Sequence, residues 1–500
     1  MHRSIETLLH LACTLAIVIA IGAFGDLAVA GEPGVSPRVD DRLVVRLANP
    51  EDPGAIDAFI EAFLAVPGNE SLGLTAIDEV PGRGIVLLAL DFPKGFDLAA
   101  IEQQFEAGIF AGHLIWGEFL YRDDAPEGGD GATGSTYVDS IAPPSFGSQY
   151  ARTRLGLDAA HAASTGAAMV VAVLDTGVDP THPVLAGAVL PGIDFVDPGG
   201  AALDTADGID QDGDGVADEL HGHGTFVAGI VRLVAPEARI LPVRVLNDEG
   251  RGDGWAIIAG MHAAIDRGVE VINVSIRSTN YSSAVDDAVE EAEQRGIVVV
   301  AAAGNFDLDR REYPAARSGV LGVVAVDEED RKAAFSSYND KMFICAPGDT
   351  DFGDAVPVPE RAVIGPRPGG GYAAWEGTSF ATPMVAGAAA LIRAQHPQWT
   401  ALEVVNEVRT RMELTAVDIA PQNPEYDPDV FGVGRLAVGD AVALGPPAPA
   451  VGDFDADGWV GFADLARLLA DWGLVHSVAD IDSSGRVDLG DLLLLLNAWG

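Results

Sequence analysis

The stretch GIVVVAAAG (residues 296–304) is a near-continuous apolar run that ends at Asn305. Such a run predicts a strand covered on both faces, because a strand with one wet face alternates apolar and polar residues. Four more runs share the pattern, namely MVVAVLD (169–175), ARILPVRVL (238–246), VEVINVSI (269–276) and VLGVVAV (320–326). Helical patterns at 255–267 and 283–295 separate several of them. Residues 150–445 are therefore predicted to form a doubly wound parallel α/β sheet, with functional residues where strands end in loops.

A smaller unit precedes this sheet. Strand patterns at 41–48, 84–91 and 113–122 alternate with helical patterns at 55–66 and 98–107. This order predicts a small α+β, ferredoxin-like sheet with two helices on one face. Residues 123–149 have the Gly, Asp, Ser and Pro content of a linker, and 446–452 form a second, proline-rich linker.

The composition limits the possible partners. Of the 500 residues, 48% are apolar and only 7% aromatic, and 59 are glycine, which favours compact α/β units over disorder. The net charge is −45, with 30 basic and 75 acidic residues. Such a surface repels nucleic acid and anionic membranes, so both are excluded as partners.

The N-terminus has the pattern of a secretory signal. His2 and Arg3 precede an apolar run over 8–24, and small residues lead to a predicted cleavage after Ala30. A retained membrane anchor is the alternative, but Asp26 interrupts the run and no later stretch is long enough to span a bilayer. Cleavage would leave Cys345 as the single cysteine, so no intramolecular disulfide is expected in the exported chain.

Four polar residues follow strands or begin helices, and each alone has an ordinary explanation. Asp175 and Asn305 end apolar runs, where such residues usually form turns. His223 and Ser379 begin small-residue helical patterns, and a hydroxyl at such a place usually caps the helix. Together they could perform acyl transfer, with Ser379 as nucleophile, His223 as general base, Asp175 orienting the imidazole and Asn305 stabilising the oxyanion.

The motifs around these residues resemble those of the subtilisin-like serine proteases. VAVLDTG, HGTFVAG, AAGN and GTSFATP occur in that family's order across residues 150–440. The resemblance implies a serine endopeptidase of polypeptides that binds its substrate as an added β-strand and needs no organic cofactor. It also implies the substrate-binding residues Gly252, Gly254, Ser275, Ile276, Arg277, Ala303 and Gly304.

Arg277 departs from the family pattern, which often has glycine at this position. We hypothesise that the cation lies at the rim of the first specificity pocket and shifts preference towards acidic side chains. The alternative is that Arg277 points to solvent.

By its position, the unit at 31–122 resembles the inhibitory propeptide of these proteases. It would template folding, block the cleft and be removed by a cut within 123–149. An unrelated accessory domain is the alternative.

The C-terminal residues 453–500 contain two copies of a motif with a period of 27 residues. Each copy has oxygen ligands at the alternating positions of a calcium loop, followed by a leucine-rich helix. The predicted ligands are Asp453, Asp455, Asp457 and Asp464 in the first copy, and Asp480, Asp482, Ser484, Asp488 and Asp491 in the second. An acidic tail without metal is the alternative.

This repeat resembles a type I dockerin, which implies a small all-α calcium-binding domain and docking to a cohesin-like or cell-surface partner. A third segment, DQDGDGVAD (210–218), repeats the ligand spacing just before His223. Its calcium candidates are Asp210, Asp212, Asp214 and Asp218, with an acidic surface loop as the alternative.

The whole sequence thus predicts a secreted, extracellular or cell-surface protease made as a zymogen, with structural Ca²⁺ and no membrane span in the mature chain. The alternative from another class is a non-catalytic adaptor that assembles through its dockerin-like end.

Overall fold

The structure is a computed structural model of the 500-residue chain. It describes residues 38–125, 137–139, 141–211, 215–353 and 357–444, and nearer the C-terminus 454, 460–474, 479, 481–482, 484 and 486–497. The predicted signal (1–30) and proline-rich linker (446–452) lie outside the described residues.

The first unit is an antiparallel sheet with two helices. Its elements are β1 (Arg38–Leu47), α1 (Ala55–Leu64), β2 (Gly73–Val80), β3 (Ile85–Asp91), α2 (Ala99–Glu106) and β4 (Leu114–Asp124). The strand order is β2-β3-β1-β4, and Phe59, Phe63 and Ile101 pack both helices on one face. The sequence did not predict β2, because most of its side chains are exposed and it lacks an apolar face.

The opposite face of this sheet packs on the second unit. Val44, Ile85 and Leu120 form a cluster with Trp255 and Ile258 there. The two units therefore share a buried apolar interface.

The predicted linker at 123–149 contains regular secondary structure. It contains β5 (Tyr137–Asp139) and α3 (Pro144–Ser148), and is followed by α4 (Tyr150–Arg154) and α5 (Leu157–Ala163). Ile141 packs against Ile364, and the buried Gln149 amide exchanges two hydrogen bonds with the Ile364 backbone, at 2.7 and 3.1 Å. The linker composition hid this segment because its partners lie more than 200 residues away.

The second unit is built on a seven-stranded sheet. Its elements are β6 (Val170–Asp175), β7 (Ile193–Asp194), α6 (His223–Val234), β8 (Arg239–Arg244), β9 (Arg251–Asp253), α7 (Gly254–Asp266), β10 (Val271–Val274), α8 (Ser283–Gln294), β11 (Val298–Ala302), β12 (Val320–Val326) and β13 (Ile344–Pro347). The order is β13-β12-β11-β10-β6-β8-β7, and every pair is parallel. The predicted doubly wound parallel sheet is confirmed. Its connections change direction at β6, so the carboxyl ends of β6 and β10 border the crevice where such folds bind ligands.

A hairpin and three helices complete this unit. They are β14 (Val363–Arg367), β15 (Gly371–Trp375), α9 (Thr378–Gln395), α10 (Ala401–Thr415) and α11 (Val438–Ala443). Residues 378–392 of α9 are all buried. A Cβ at Gly387 would lie 2.7 Å from Val234 Cβ, so the absence of a side chain there lets α9 approach α6 closely.

The C-terminal part contains α12 (Phe462–Ala470) and α13 (Leu489–Asn497). Val460, Leu468, Val487 and Leu495 form a small core between them. Among the described residues, no helix of the chain is long and apolar enough to cross a membrane.

Candidate active site

Ser379 lies in the first turn of α9 and is fully buried. The N-cap position of the helix is Gly377, so neither Thr378 nor Ser379 is the N-cap residue, and the side chain of Asn305 accepts from Thr378 N at 2.9 Å. The Thr378 hydroxyl instead donates to Asn305 Oδ1 at 2.8 Å. Ser379 thus stands at the positive end of a long helix dipole, which favours developing negative charge.

Asp175 and His223 form a buried pair beside this helix. Asp175 ends β6 and His223 begins α6, and their Oδ1 and Nδ1 atoms lie 2.7 Å apart. Both side chains are fully buried. The His223 ring packs 5.3 Å from the Phe380 ring, centroid to centroid, next to Ser379 in the chain. The fold thus brings together three residues separated by 204 positions, from 175 to 379.

Asp204 is a buried carboxylate at this site that the sequence did not reveal. It accepts hydrogen bonds from Gly222 N (2.9 Å), Thr225 N (3.0 Å) and Thr225 Oγ1 (2.6 Å), and from Thr176 Oγ1 at 3.3 Å. Burial raises its pKa, against the Thr225 hydroxyl and the backbone donors. Asp204 thereby joins the residue after Asp175 to the N-terminus of the helix that begins at His223. It escaped prediction because it lies in an Asp-rich loop without a recognisable motif.

Asn305 is held by its carbonyl oxygen. Its Oδ1 accepts hydrogen bonds from Thr378 N at 2.9 Å and from Thr378 Oγ1 at 2.8 Å. The amide oxygen and nitrogen lie on opposite arms of the group, so these two bonds turn Nδ2 away from Thr378. The arrangement fixes one orientation of a buried hydrogen-bond donor next to the start of α9.

The predicted substrate-binding segments flank Ser379. Ser275 Oγ donates to the Ser379 carbonyl at 3.0 Å, and Ile276, Ala303 and Gly304 follow the ends of β10 and β11. Gly252 and Gly254 lie in or next to β9, which pairs antiparallel with the end of β4. A Cβ at Gly254 would lie 3.0 Å from Tyr121 O, so glycine permits the close approach of β4.

Arg277 does not point to solvent, and that alternative is wrong. The side chain is 1% exposed. Its guanidinium carbon lies 4.1 Å from the centre of the Phe306 ring, and its Nη1 lies 3.9 Å from Glu312 Oε2.

The acidic loop before His223 brings one of the predicted carboxylates, Asp218, together with two that were not predicted. Ligand oxygens of Asp207, Asp218 and Asp248 lie within 4.8 Å of one another. Asp210 instead accepts a hydrogen bond from Gly215 N at 2.9 Å, while Asp212 and Asp214 lie outside the described residues. The motif spacing could not reveal Asp207 or Asp248, because neither belongs to the repeated pattern.

In the C-terminal loops, the two aspartates at position 12 make equivalent contacts. Asp464 Oδ2 accepts from Gly461 N at 2.8 Å, and Asp491 Oδ2 accepts from Asp488 N at 2.7 Å. In the second loop, a Cβ at Gly490 would lie 2.5 Å from Asp482 Oδ2 and 3.2 Å from Asp488 Oδ1, so these two carboxylates converge. Ser484 donates to Arg486 O at 3.1 Å. Asp453, Asp455, Asp457 and Asp480 lie outside the described residues.

Glu376, three residues before Ser379 in the chain, pairs with the carboxyl group of Asp349. Glu376 shares a hydrogen bond with Asp349, and burial together with the Asp349 charge raises the pKa of Glu376 to about 8. The folded chain therefore keeps a proton on Glu376 at pH values where the unfolded chain has lost it. Stability is then greatest below the unfolded pKa, falls with rising pH, and levels off above about pH 8.

We expect Glu376→Gln to remove this pH dependence, because its neutral amide can still donate to Asp349. The measurement is thermal unfolding from pH 5 to 9 in a Ser379→Ala background, which excludes self-cleavage. We compare the unfolding free energy of the protein with Glu376 and of the Glu376→Gln variant at each pH. Below pH 8, the difference between the two should change by at most about 1.4 kcal/mol per pH unit. Parallel curves for the two proteins would contradict the shared proton.

A parallel α/β sheet with a buried Asp–His pair beside a serine at a helix N-terminus has the architecture of a serine hydrolase.

Comparisons with known proteins narrow this class. A model of the subtilase family (Peptidase_S8) matches residues 166–434. Subtilisin BL of Lederbergia lenta is 36% identical over 267 residues, which is 51% of this chain and 88% of that protein. Thermitase of Thermoactinomyces vulgaris is 36% identical over 288 residues, 55% of this chain and 91% of that protein.

Two solved structures are similar as well. A protease from Pseudoalteromonas arctica has a TM-score of 0.51 at 29% identity, over 60% of this chain and 98% of its own. Fervidolysin of Fervidobacterium pennivorans has a TM-score of 0.59 over 85% of this chain and 63% of its own, and at 23% identity it shows the fold alone. The chain belongs to the subtilase family and is a serine endopeptidase.

Proposed function

We propose that Ser379, His223, Asp175 and Asn305 are the catalytic residues of this endopeptidase. The observation that supports this most strongly is the 2.7 Å contact between buried Asp175 and His223 beside the helix that carries Ser379. With a proton on Nδ1 bound by Asp175, the Nε2 atom of His223 is an acceptor. His223 then takes the Ser379 proton as Oγ attacks the scissile carbonyl.

In the same proposal, Asn305 Nδ2 donates to the carbonyl oxygen as it becomes negative. His223 returns its proton to the leaving amine, which leaves an acyl-enzyme on Ser379. Water, activated by the same histidine, then releases the second product. The polypeptide bound against β9 as an added strand supplies the scissile bond.

A fluorophosphonate probe separates this proposal from a silent adaptor when it is applied to the chain after removal of the first unit, by self-processing or by an added protease that is then removed. We expect labelling of wild type and none of Ser379→Ala. An unlabelled but folded and processed wild type would favour the adaptor, which would need only the C-terminal module.

We further propose that residues 31–122 act as an inhibitory propeptide. The end of β4 already fills the place of an added strand, with Asp123 opposite Gly252 and Ala125 N donating to Gly250 O at 2.8 Å. Glu118 supports the docked state, because its carboxylate accepts from Ser282 Oγ (2.7 Å) and Ser283 N (2.8 Å) at the start of α8.

The maturation cut then falls between Ala125 and Tyr137, inside the predicted region 123–149. Ala125 pairs with the cleft, whereas Tyr137 begins a strand that pairs with β15 of the peptidase unit. Removal of the first unit must also break the contact of Arg83 with Glu291 and Asp266, at 2.7 Å in each case.

We propose that Ca²⁺ binds and stabilises two parts of the chain, the acidic loop before His223 and the C-terminal repeat. Converging carboxylates suit a hard cation that takes six to eight oxygens, and Asp207, Asp218 and Asp248 offer them. In the second C-terminal loop, Asp482 and Asp488 both lie next to Gly490, and Asp491 binds the Asp488 backbone. Among the described residues they supply only part of a shell, so water or backbone oxygens would complete it. Calcium-dependent folding of 453–500 would present its exposed leucine helices to a cohesin-like or cell-surface partner. The signal at 1–30 would make the protein secreted.

We expect calcium to raise the melting temperature of the full Ser379→Ala chain. When the free calcium concentration is 100 times Kd, binding at one site should add about 2.7 kcal/mol to the free energy of unfolding. Asp207→Asn with Asp218→Asn should remove one part of this response, and Asp464→Asn with Asp491→Asn another. Asp158→Asn is the matched control, since that side chain is 86% exposed and outside both loops. Equal curves with calcium and with chelator would contradict both sites.

A further inference from the structure

The segments on either side of Ser379 enclose a cluster of three side chains. Ser275 Oγ donates to the Ser379 carbonyl at 3.0 Å, and Asn305 binds Thr378, so residues 275–277 and 303–305 are both fixed to the start of α9. The resemblance to the subtilases implies that the acyl-side side chain of a substrate attacked by Ser379 lies between these two segments. Arg277, Phe306 and Glu312 are the side chains that meet there.

Glu312 forms the base of this space. A Cβ at Gly304 would lie 2.2 Å from Glu312 Oε2, so the carboxylate packs directly on the glycine before Asn305. Two backbone hydrogen bonds of 2.7 Å between Ser278 and Tyr313 hold the neighbouring residues in place. The Glu312 side chain is 0% exposed.

The two oxygens of Glu312 differ in their partners. Oε1 accepts from Arg310 Nε at 2.9 Å and lies 2.8 Å from Arg310 Nη2. Oε2 is buried, has no hydrogen-bond partner among the described residues, and faces Arg277 Nη1 at 3.9 Å. Burial raises the pKa of Glu312, while Arg277 and Arg310 oppose that shift, so the ionised carboxylate depends on its arginines.

Arg277 occupies the space above Glu312. Its guanidinium stacks 4.1 Å from the Phe306 centroid, an arrangement that suits the flat and weakly hydrated arginine head group. Phe306 and Glu312 belong to the peptidase unit, so these contacts do not depend on the first unit. With the first unit docked, the arginine side chain is 1% exposed, and its head group fills the space beside Phe306.

We propose that Arg277 is an internal plug of the acyl-side specificity pocket, held by Glu312 and Phe306, so that the enzyme cuts after small, uncharged residues. This rests on the proposed function of Ser379 and replaces the expectation of acidic preference, because Glu312 already neutralises the arginine. Glu312 is the residue that would select a basic side chain once the plug is removed.

The test compares four peptides that differ only in the acyl-side residue, alanine, phenylalanine, aspartate or arginine. The full chain is allowed to process, its active fraction is titrated with a fluorophosphonate, and kcat/KM is measured per labelled site. Wild type should prefer alanine by at least about tenfold. Arg277→Gly should raise kcat/KM for the arginine peptide at least about tenfold.

Two further variants distinguish the effect of the space that Arg277 fills from the effect of the Glu312 charge. Arg277→Gly with Glu312→Gln opens the same space but removes the carboxylate charge. This double variant should show a higher kcat/KM for the phenylalanine peptide but not for the arginine peptide. Arg277→Met fills the space without charge and should keep the alanine preference. If Arg277→Gly does not fold, Arg277→Ala is the second opening variant, with the same expected gain.

Three results would overturn the plug. In the first, labelled wild type cuts all four peptides equally. In the second, labelled wild type prefers the aspartate peptide. In the third, Arg277→Gly or Arg277→Ala has the same preferences as wild type. A folded wild type that takes no label and cuts no peptide would instead overturn the proposed role of Ser379.

Discussion

Ser379→Ala is expected to lower kcat about 10⁶-fold, the size of the loss in subtilisin, a related enzyme. The substitution removes the nucleophile, and what remains is binding and oxyanion stabilisation. Ser379 is buried at the start of α9, and alanine fits the same space, so the protein should fold. The measurement is peptidase activity per folded protein after the first unit has been cut off both proteins by the same added protease, which is then inhibited.

The same substitution should leave the chain at full length, whereas wild type loses its first unit. Ser318→Ala is the matched control, because Ser318 is exposed and belongs to neither the proposed catalytic nor the predicted substrate-binding residues. Adding active wild type to the inactive chain shows whether the linker can be cut by another molecule. A Ser379→Ala protein that still shortens by itself, in a host without other proteases, would contradict self-processing.

Asp175→Asn is expected to lower kcat about 10⁴-fold with a much smaller change in KM. The carboxylate contacts His223 Nδ1 at 2.7 Å and also accepts from Thr176 N at 2.8 Å. An asparagine that donates its amide proton to Nδ1 favours the tautomer with the proton on Nε2, which cannot accept the serine proton. Asparagine keeps the side chain in place beside His223, but His223 can no longer accept the proton of Ser379.

Asp194→Asn is the control for this prediction. Asp194 is also a buried carboxylate at the end of a strand of the same sheet, but its partners are Val196 N, Asp197 N and Arg244. It should lower stability and leave kcat nearly unchanged. Equal losses of kcat in both variants would show that Asp175 acts through folding rather than through His223.

The strands of the parallel sheet were predictable because both of their faces are covered. Burial on both faces requires apolar residues at every position, and the runs at 169–175 and 296–304 show this without any knowledge of the partners. The exposed strand β2 carries no such requirement and was missed.

The site residues Asp175, His223, Asn305 and Ser379 were predictable for a related reason. Each stands beside glycines and small residues that a tight turn or close helix packing requires, so the chemistry and the backbone constraint occur in one short motif. The sequence by itself therefore determined the fold class, the family and the candidate nucleophile.

Only the tertiary structure revealed the groups that act through distant partners. Asp204 meets Gly222 and Thr225, Asp248 meets Asp207 and Asp218, and Glu312 meets Arg277. These contacts join residues 18 to 41 positions apart through irregular loops, where no periodicity relates the two partners. The pattern could identify Arg277 as unusual, but its burial on Phe306 over the Glu312 carboxylate depends on how three separate segments pack.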